Sequence, residues 1–306
     1  MLVRVLGSAA GGGFPQWNCA CENCALVRAG DPRVQARTQD SIAFRAGSQK
    51  GEDTGWNLVN ASPDIRAQIE ASPPLQPRPP RHTPIRSILL TNGDLDHVLG
   101  LFSLRESTPL EVWATDAVRA GLEERNVLMR TLHRFPEQLT WKRLELGRTV
   151  ALGDGTTVEA RPIAGKAPTH LMGVVPGSEE DNVALWIREG DRLVVYAAAC
   201  ASLDGIAGAV DDADVVFLDG TFWSSDELVA AGLSRARAED MAHLPIGGGG
   251  GDEGSLARLA GCGARRKIFT HVNNSNPILV DGSRERLAVE QAGWEVARDG
   301  LEIALA

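Results

Sequence analysis

The chain is expected to fold as an α/β sandwich of sheet and helix, and three observations predict it. Short runs rich in Val, Ile and Leu, most of them four to six residues long, alternate with helical patterns along nearly the whole sequence. At 306 residues, 43% hydrophobic and 23% charged, there is apolar mass for one large core or two smaller ones. Disordered, collagen-like and coiled-coil compositions are absent, and the alternation fits neither an all-β nor an all-helical fold.

The elements follow in order. A first strand over 2–6 runs into Gly7, and further strands are expected over 41–45 and 57–59. A helix over 65–71 precedes a Pro-rich stretch, Ser72-Pro73-Pro74-Leu75-Gln76-Pro77-Arg78-Pro79-Pro80-Arg81, which is stiff and extended. Strands of similar character continue on both sides, so the segment near 72–84 is a surface loop inside one domain spanning 1–306. Strands over 87–90 and 111–114 are each followed by a helix, over 100–104 and 115–128. Strands over 157–161, 183–188, 192–197 and 215–219 come next, then helices over 226–231 and 254–260. The tract 247–251 is five glycines, too short for a flexible linker, and suits close backbone approach or simple looping. A strand over 267–270, a helix over 283–292 with Ser283 at its N-cap, and a strand over 294–297 complete the chain.

Charge and segment composition exclude several functions. A formal charge of −9 with no visible basic face argues against nucleic acid and against anionic membrane surfaces. The start, Met1-Leu2-Val3-Arg4-Val5-Leu6-Gly7, lacks the charged head and apolar core of a signal peptide, and no apolar run approaches the ~20 residues that span a bilayer, so no membrane insertion is expected. Five cysteines are an odd count, and Cys19, Cys21 and Cys24 crowd into six residues. That spacing suits a metal or redox site better than disulfides and places the protein in a reducing cytoplasm. Cys200 and Cys262 sit among small apolar residues and are expected to be buried.

Three strands deliver ligand-type residues at their carboxyl ends. The first is Ile88-Leu89-Leu90-Thr91-Asn92-Gly93-Asp94-Leu95-Asp96-His97, where Asp94 and Asp96 share a direction if the loop stays extended and Asp96 and His97 offer adjacent oxygen and nitrogen donors. Alone, this segment reads equally as an N-cap aspartate and a surface histidine. The second is Val215-Val216-Phe217-Leu218-Asp219, and the third is Lys267-Ile268-Phe269-Thr270-His271, followed by Asn273, Asn274 and Asn276. Coincidence of all three favours a shared metal site.

With these residues in place, the sequence resembles the metallo-β-lactamase superfamily. That family's motif is His-x-His-x-Asp-His, and here the four positions hold Asn92, Asp94, Asp96 and His97, so the two histidines of the first metal position are missing. Asp219 matches the family's later aspartate and His271 its last histidine; His170 is either the counterpart of the middle histidine or a loop residue. Longer motifs narrow the likeness: Gly11-Gly12-Gly13-Phe14-Pro15-Gln16-Trp17-Asn18-Cys19, Leu218-Asp219-Gly220-Thr221-Phe222-Trp223, Met241-Ala242-His243-Leu244-Pro245-Ile246 and Thr270-His271-Val272-Asn273-Asn274-Ser275-Asn276-Pro277 are similar to the coenzyme PQQ synthesis protein B family. The resemblance covers essentially the whole chain and implies a four-layer αββα sandwich.

It also implies a ligand assignment. Cys19, Cys21 and Cys24 would hold a structural zinc, whose fourth ligand is either Asn274, at a position where relatives place a histidine, or His243. Asp96, His97 and His271, with Asp219 as an additional or water-bridged ligand, would hold one active-site metal with open positions. That set suits non-haem Fe(II) oxygen activation as well as a mononuclear zinc hydrolase, and zinc can displace iron in purified protein. Asp94 and His243 would either support the ligands from behind or move protons, and Lys166 is a candidate for neutralising an acidic substrate.

The family likeness favours Fe(II) and a hydroxylase of the tyrosine in a Glu-Tyr precursor of pyrroloquinoline quinone. The alternatives are a soluble carrier moving the cofactor or its precursor toward the periplasm, and a zinc hydrolase. Expected partners are a small peptide or quinone precursor and other proteins of the same pathway, and the sequence leaves room for a homodimer.

Overall fold

Apolar strands pair into two sheets. In the computed structural model, which describes residues 1–47, 55–106, 108–125, 131–132, 138–249, 251 and 253–306, the first sheet contains β1 (Leu2–Gly7), β2 (Ser41–Arg45), β3 (Trp56–Val59), β4 (Ile85–Leu89), β5 (Leu110–Ala114) and β6 (Leu139–Arg143). The second contains β7 (Thr149–Ala151), β8 (Thr157–Pro162), β9 (Val183–Glu189), β10 (Arg192–Ala197), β11 (Val215–Asp219), β12 (Arg266–Thr270) and β13 (Glu295–Val296), and β14 (Glu302–Ala304) returns to pair with β1. Among the described residues the two seven-stranded orders are β14-β1-β2-β3-β4-β5-β6 and β13-β12-β11-β10-β9-β8-β7. Strands β3 to β6 run parallel, as do β10 to β13, so the carboxyl ends within each group open on one edge of its sheet.

Eight α-helices are described: α1 (Glu22–Ala29), α2 (Ile65–Glu70), α3 (Leu95–Val98), α4 (Gly100–Ser103), α5 (Asp116–Glu123), α6 (Glu227–Ala230), α7 (Ser255–Arg258) and α8 (Arg284–Gln291). Between the sheets, Val3, Val5 and Phe44 meet Leu185, Tyr196 and Phe217 in one core. Outside the first sheet, Ile65, Val98 and Val118 cover Leu58, Ile88 and Val112. Outside the second, Cys24 and Val289 belong to the core that includes Trp186, Val195 and Phe269. Helix, sheet, sheet and helix therefore form a four-layer αββα sandwich. Each fully buried Leu, Ile or Phe in these cores contributes about 1.5–3 kcal/mol relative to exposure.

Several expected bounds shift for identifiable reasons. Helix α1 was not expected; its last turn carries Arg28 and Gly30 closes it at φ 72°, so Cys24 lies on a helix rather than in a loop. Thr115 caps α5 by accepting from Val118 N, and the expected continuation over 126–128 lies outside the described residues. Strands β6, β7 and β14 were also not expected; all three lie on sheet edges with polar, half-exposed faces that blunt the apolar signal.

The Pro-rich loop opens as a 3-10 turn, Pro73–Leu75, with Leu75 buried beneath it. In the glycine tract, Gly247 makes the close approach, since a Cβ there would stand 2.7 Å from the Trp223 ring. Cys200 is buried as expected, but Cys262 is only half-buried. No helix among the described residues is long and apolar enough to cross a membrane.

Candidate metal centre

The sheets deliver their polar residues to neighbouring ligand groups by different routes. Asp219 is the last residue of β11 and His271 immediately follows β12, where it adopts φ 54°. Asp96 and His97 come from beyond β4: the loop does not stay extended after Asn92 but turns into α3, with Asp94 at its N-cap and Asp96 and His97 on the helix. Gly11 closes over this turn, where a Cβ would lie 3.1 Å from Asp96 Oδ2.

Asp96, His97 and His271 place their ligand atoms within 4.8 Å of one another, and Asp219, His243 and His271 do the same. His271 Nε2 lies 3.5 Å from Asp96 Oδ2 and His97 Nε2 3.8 Å from it. The His97 and His271 rings meet edge to face at 5.5 Å, and His243 stacks on His271 at 5.5 Å.

Each imidazole is held by its Nδ1. His97 Nδ1 stands 2.7 Å from Asn92 Oδ1, an oxygen that also accepts from Asp94 N, so this nitrogen carries the proton and donates. The ring is buried and, among the described residues, its Nε2 has no hydrogen-bond partner. His271 Nδ1 lies 2.9 Å from Thr221 Oγ1, whose own proton goes to Asp219 Oδ1 at 2.6 Å. His243 Nδ1 donates to Asp219 Oδ2 at 2.7 Å. The two Asp219 oxygens also accept from the backbone N–H groups of Thr221 and Cys200, at 2.9 and 2.8 Å.

This donor set fits a cation. A buried imidazole nitrogen without a partner would cost roughly 1–3 kcal/mol if nothing met it, and a metal ion is such a partner. Burial alone would lower the basicity of His271, but the hydrogen bond and charge of Asp96, with Asp40 and Asp219 behind it, raise it to about 9. Burial would raise the Asp96 carboxyl; the imidazoles of His97 and His271 hold it below its ordinary range. Burial likewise opposes ionisation of Asp219, and His243 overcomes it. The pocket thus attracts positive charge wherever a carboxylate faces an imidazole.

Asn92, Asp96, His97, Thr221, His243 and His271 line a cavity of about 240 Å³, together with Asp94, Lys166, Thr169 and Asn273, while Asp219 is buried behind them. Lys166 is the one Lys or Arg among its described lining residues. His170 sits on the 3-10 turn Thr169–Leu171 and is in neither ligand group; its neighbour Thr169 reaches the cavity instead. Asn92 and Thr221 orient these rings without having stood out in the sequence. Asn92 stands where the superfamily motif has a histidine and holds His97, and Thr221 bridges Asp219 to His271. The Asp-Gly-Thr run at a strand end was the available signal for Thr221.

The cysteines form a second centre. The Sγ atoms of Cys19, Cys21 and Cys24 converge within 4.8 Å. The carboxamide of Asn274 lies over them, its amide nitrogen 3.2, 3.5 and 3.4 Å from the three sulfurs. His243, the other candidate for this place, is engaged at Asp219 and lines the cavity. Asn23 Nδ2 donates to the carbonyls of Asn274 and Asn276, fastening α1 to the segment that follows His271. Burial pushes the Cys24 thiol up to about 11, so losing its proton requires a cation. Three converging sulfurs fit zinc.

Comparison with known proteins places this geometry among relatives. The family model of a β-lactamase superfamily domain matches residues 55–272. Coenzyme PQQ synthesis protein B of Methylobacterium sp. (strain 4-46) is 42% identical over 310 residues, covering all of both chains. Its namesake from Rhizobium meliloti (strain 1021) is 42% identical over 307 residues, covering 99% of this chain and 97% of the relative. Among solved structures, a zinc-bound PqqB from Methylobacterium extorquens superposes with a TM-score of 0.90 at 38% identity over the whole of both chains. A diphosphatase of the PhnP family, at TM-score 0.68 and 19% identity over 99% of this chain and 96% of its own, shares the fold.

Proposed function

The chain belongs to the coenzyme PQQ synthesis protein B family of the β-lactamase superfamily, and from that membership we propose that it hydroxylates the tyrosine ring of a Glu-Tyr precursor of pyrroloquinoline quinone in an Fe(II)-dependent step. The observation that carries this reading is a donor set for one metal. Asp96, His97 and His271 form a cluster of two imidazoles and one carboxylate, while Asn92, in the place of a further histidine, has its oxygen engaged by His97. Such a set leaves coordination positions open for substrate and O₂. Ring hydroxylation exchanges a C–H for a C–OH; O₂ gives one atom to the ring and one to water, and a two-electron reductant and two protons complete the balance.

Asp96, His97 and His271 would hold the metal, and Asp219, with its oxygens already accepting four hydrogen bonds, would act on it through His243 or a water. When bound, Fe(II) supplies the activation of O₂. The chain supplies the rest. Lys166 meets a substrate carboxylate, Asp94 accepts a proton at its carboxylate, and His243, fixed by Asp219, holds a proton at the cavity. Cys19, Cys21 and Cys24 hold a structural zinc, with Asn274 in the fourth position once its amide turns its oxygen toward the sulfurs.

Zinc in the active-site cluster is the competing reading, and it gives a hydrolase or a carrier; a zinc-bound relative is 38% identical. Oxygen-electrode measurements separate them. Fe(II)-loaded protein with a reductant should consume O₂ in step with added Glu-Tyr, and zinc-loaded protein and His97→Ala should not. Uptake independent of the peptide, or phosphodiester turnover by the zinc form, would count against the hydroxylase.

A further inference from the structure

Three asparagines follow His271, and they do different work. Asn274 lies on the sulfurs. Asn276 is fully buried, donates to the carbonyls of Gly220 and Thr221, and accepts from Ile278 N. Asn273 alone of the three lines the active-site cavity.

A relay from outside the segment sets its side chain. Asn273 Nδ2 donates to Ser275 Oγ at 2.5 Å, and Ser275 Oγ donates to Glu227 Oε1 at 2.5 Å. The other oxygen of Glu227 accepts from Trp223 N at 2.7 Å. Glu227 is 9% exposed and opens α6, so the relay ends on a separate element. A hydroxyl has one proton. Once that proton goes to the carboxylate, Ser275 can only accept from Asn273, and the carboxamide oxygen is the end left for the cavity. Among the described residues, no protein donor reaches that oxygen.

We propose that Asn273, oriented by Glu227 through Ser275, is the amine subsite of the cavity, its carboxamide oxygen accepting from the substrate's α-ammonium group. Lys166 then takes a carboxylate of the same molecule, and the pair sets which way round an amino-acid-type substrate lies. This inference rests on the Glu-Tyr reading of the substrate. Asn273 would touch the substrate; Ser275 and Glu227 are positioning residues.

The test compares two ligands on the zinc-loaded full-length protein: the Glu-Tyr dipeptide and glutaryl-tyrosine, which lacks only the α-amino group. Burial lifts the Glu227 carboxyl to about 7 against its hydrogen bonds to Ser275 and Trp223, so calorimetry is run at about pH 7.5, where this carboxylate and the dipeptide's α-ammonium are both largely charged. Wild type should prefer Glu-Tyr by about tenfold or more. Asn273→Leu should bring that ratio close to one while glutaryl-tyrosine binding and zinc content stay as in wild type, and Asn273→Asp should keep the preference. In Glu227→Gln the new amide donates to Ser275, whose proton then turns to Asn273 and reverses its carboxamide, so the ratio falls without a change at Asn273 itself. An unchanged ratio in Asn273→Leu overturns the amine subsite, and an unchanged ratio in Glu227→Gln overturns the relay. If neither ligand binds wild type, the substrate reading itself falls and the subsite with it.

Discussion

His97 Nδ1 lies 2.7 Å from the carboxamide oxygen of Asn92, and this bond fixes which nitrogen of the ring is free to meet a metal. Asn92 is itself held, through Asn182 at 3.3 Å and through the backbone of Asp94 at 3.0 Å. An amide in this place is therefore a support for the remaining histidine.

Removing that support should loosen the metal without removing a ligand. Asn92→Ala is expected to weaken metal binding at the active-site cluster by about 10–100-fold, the usual effect of losing an orienting partner, whereas Asn92→Asp keeps an acceptor and most of the affinity. Competition against a chromophoric chelator measures it. Equal affinity in Asn92→Ala would remove Asn92 from the site.

The cysteine centre should behave as a structural metal site. Cys24→Ser is expected to lose one equivalent of zinc by elemental analysis and to unfold at lower temperature, because metal binding there is coupled to the fold. Asn274→Ala removes only the group over the sulfurs and should retain zinc with weaker affinity. Zinc retained at wild-type strength in Cys24→Ser would contradict the assignment.

Tyr196, the single tyrosine, offers a pH prediction. Burial, and then the charge of Asp40 to which its hydroxyl donates, push its phenol well above the ordinary 10. The folded protein thus retains a proton that the unfolded chain releases above pH 10, so this group's stabilising contribution is present below that value and declines as pH rises past it. Phenolate absorbance should remain absent until the protein unfolds, and then appear in one step with loss of circular dichroism. A phenolate that forms in the folded state would contradict the buried pairing.

Lys166 is the lone Lys or Arg among the described residues lining the cavity, so its loss should be felt by an acidic ligand. Lys166→Met is expected to weaken Glu-Tyr binding by about 10–100-fold, in line with a charge-assisted hydrogen bond, and to remove most of the salt dependence. Binding that keeps both its strength and its salt dependence would place carboxylate recognition elsewhere.

The parts of the fold that were legible in the sequence are those buried on both faces. β11, Val215–Asp219, is apolar up to its final carboxylate, and the expected bounds match the observed ones. β6, β7 and β14 escaped because an edge strand covers less core and carries polar residues such as Thr140, Lys142 and Glu302. Within the site, Asp96, His97, Asp219 and His271 stood out because strand ends and ligand-type residues coincide, and His243 because its segment is similar to a family motif. Asn92, Thr221 and Glu227 did not, since orienting a ring through a hydrogen bond depends on pairings between distant segments that spacing alone does not encode. The same limit separated Asn273, Asn274 and Asn276, adjacent in sequence and facing a cavity, a sulfur triangle and a buried turn.

Mass spectrometry of a Glu-Tyr peptide after anaerobic Fe(II) loading of the protein and exposure to isotopically heavy O₂ and a reductant, with His271→Ala as control, tests the hydroxylation directly. One heavy oxygen atom on the tyrosine ring, absent in the control, is the expected result. An unmodified peptide, with iron content confirmed in the active-site cluster, would contradict it.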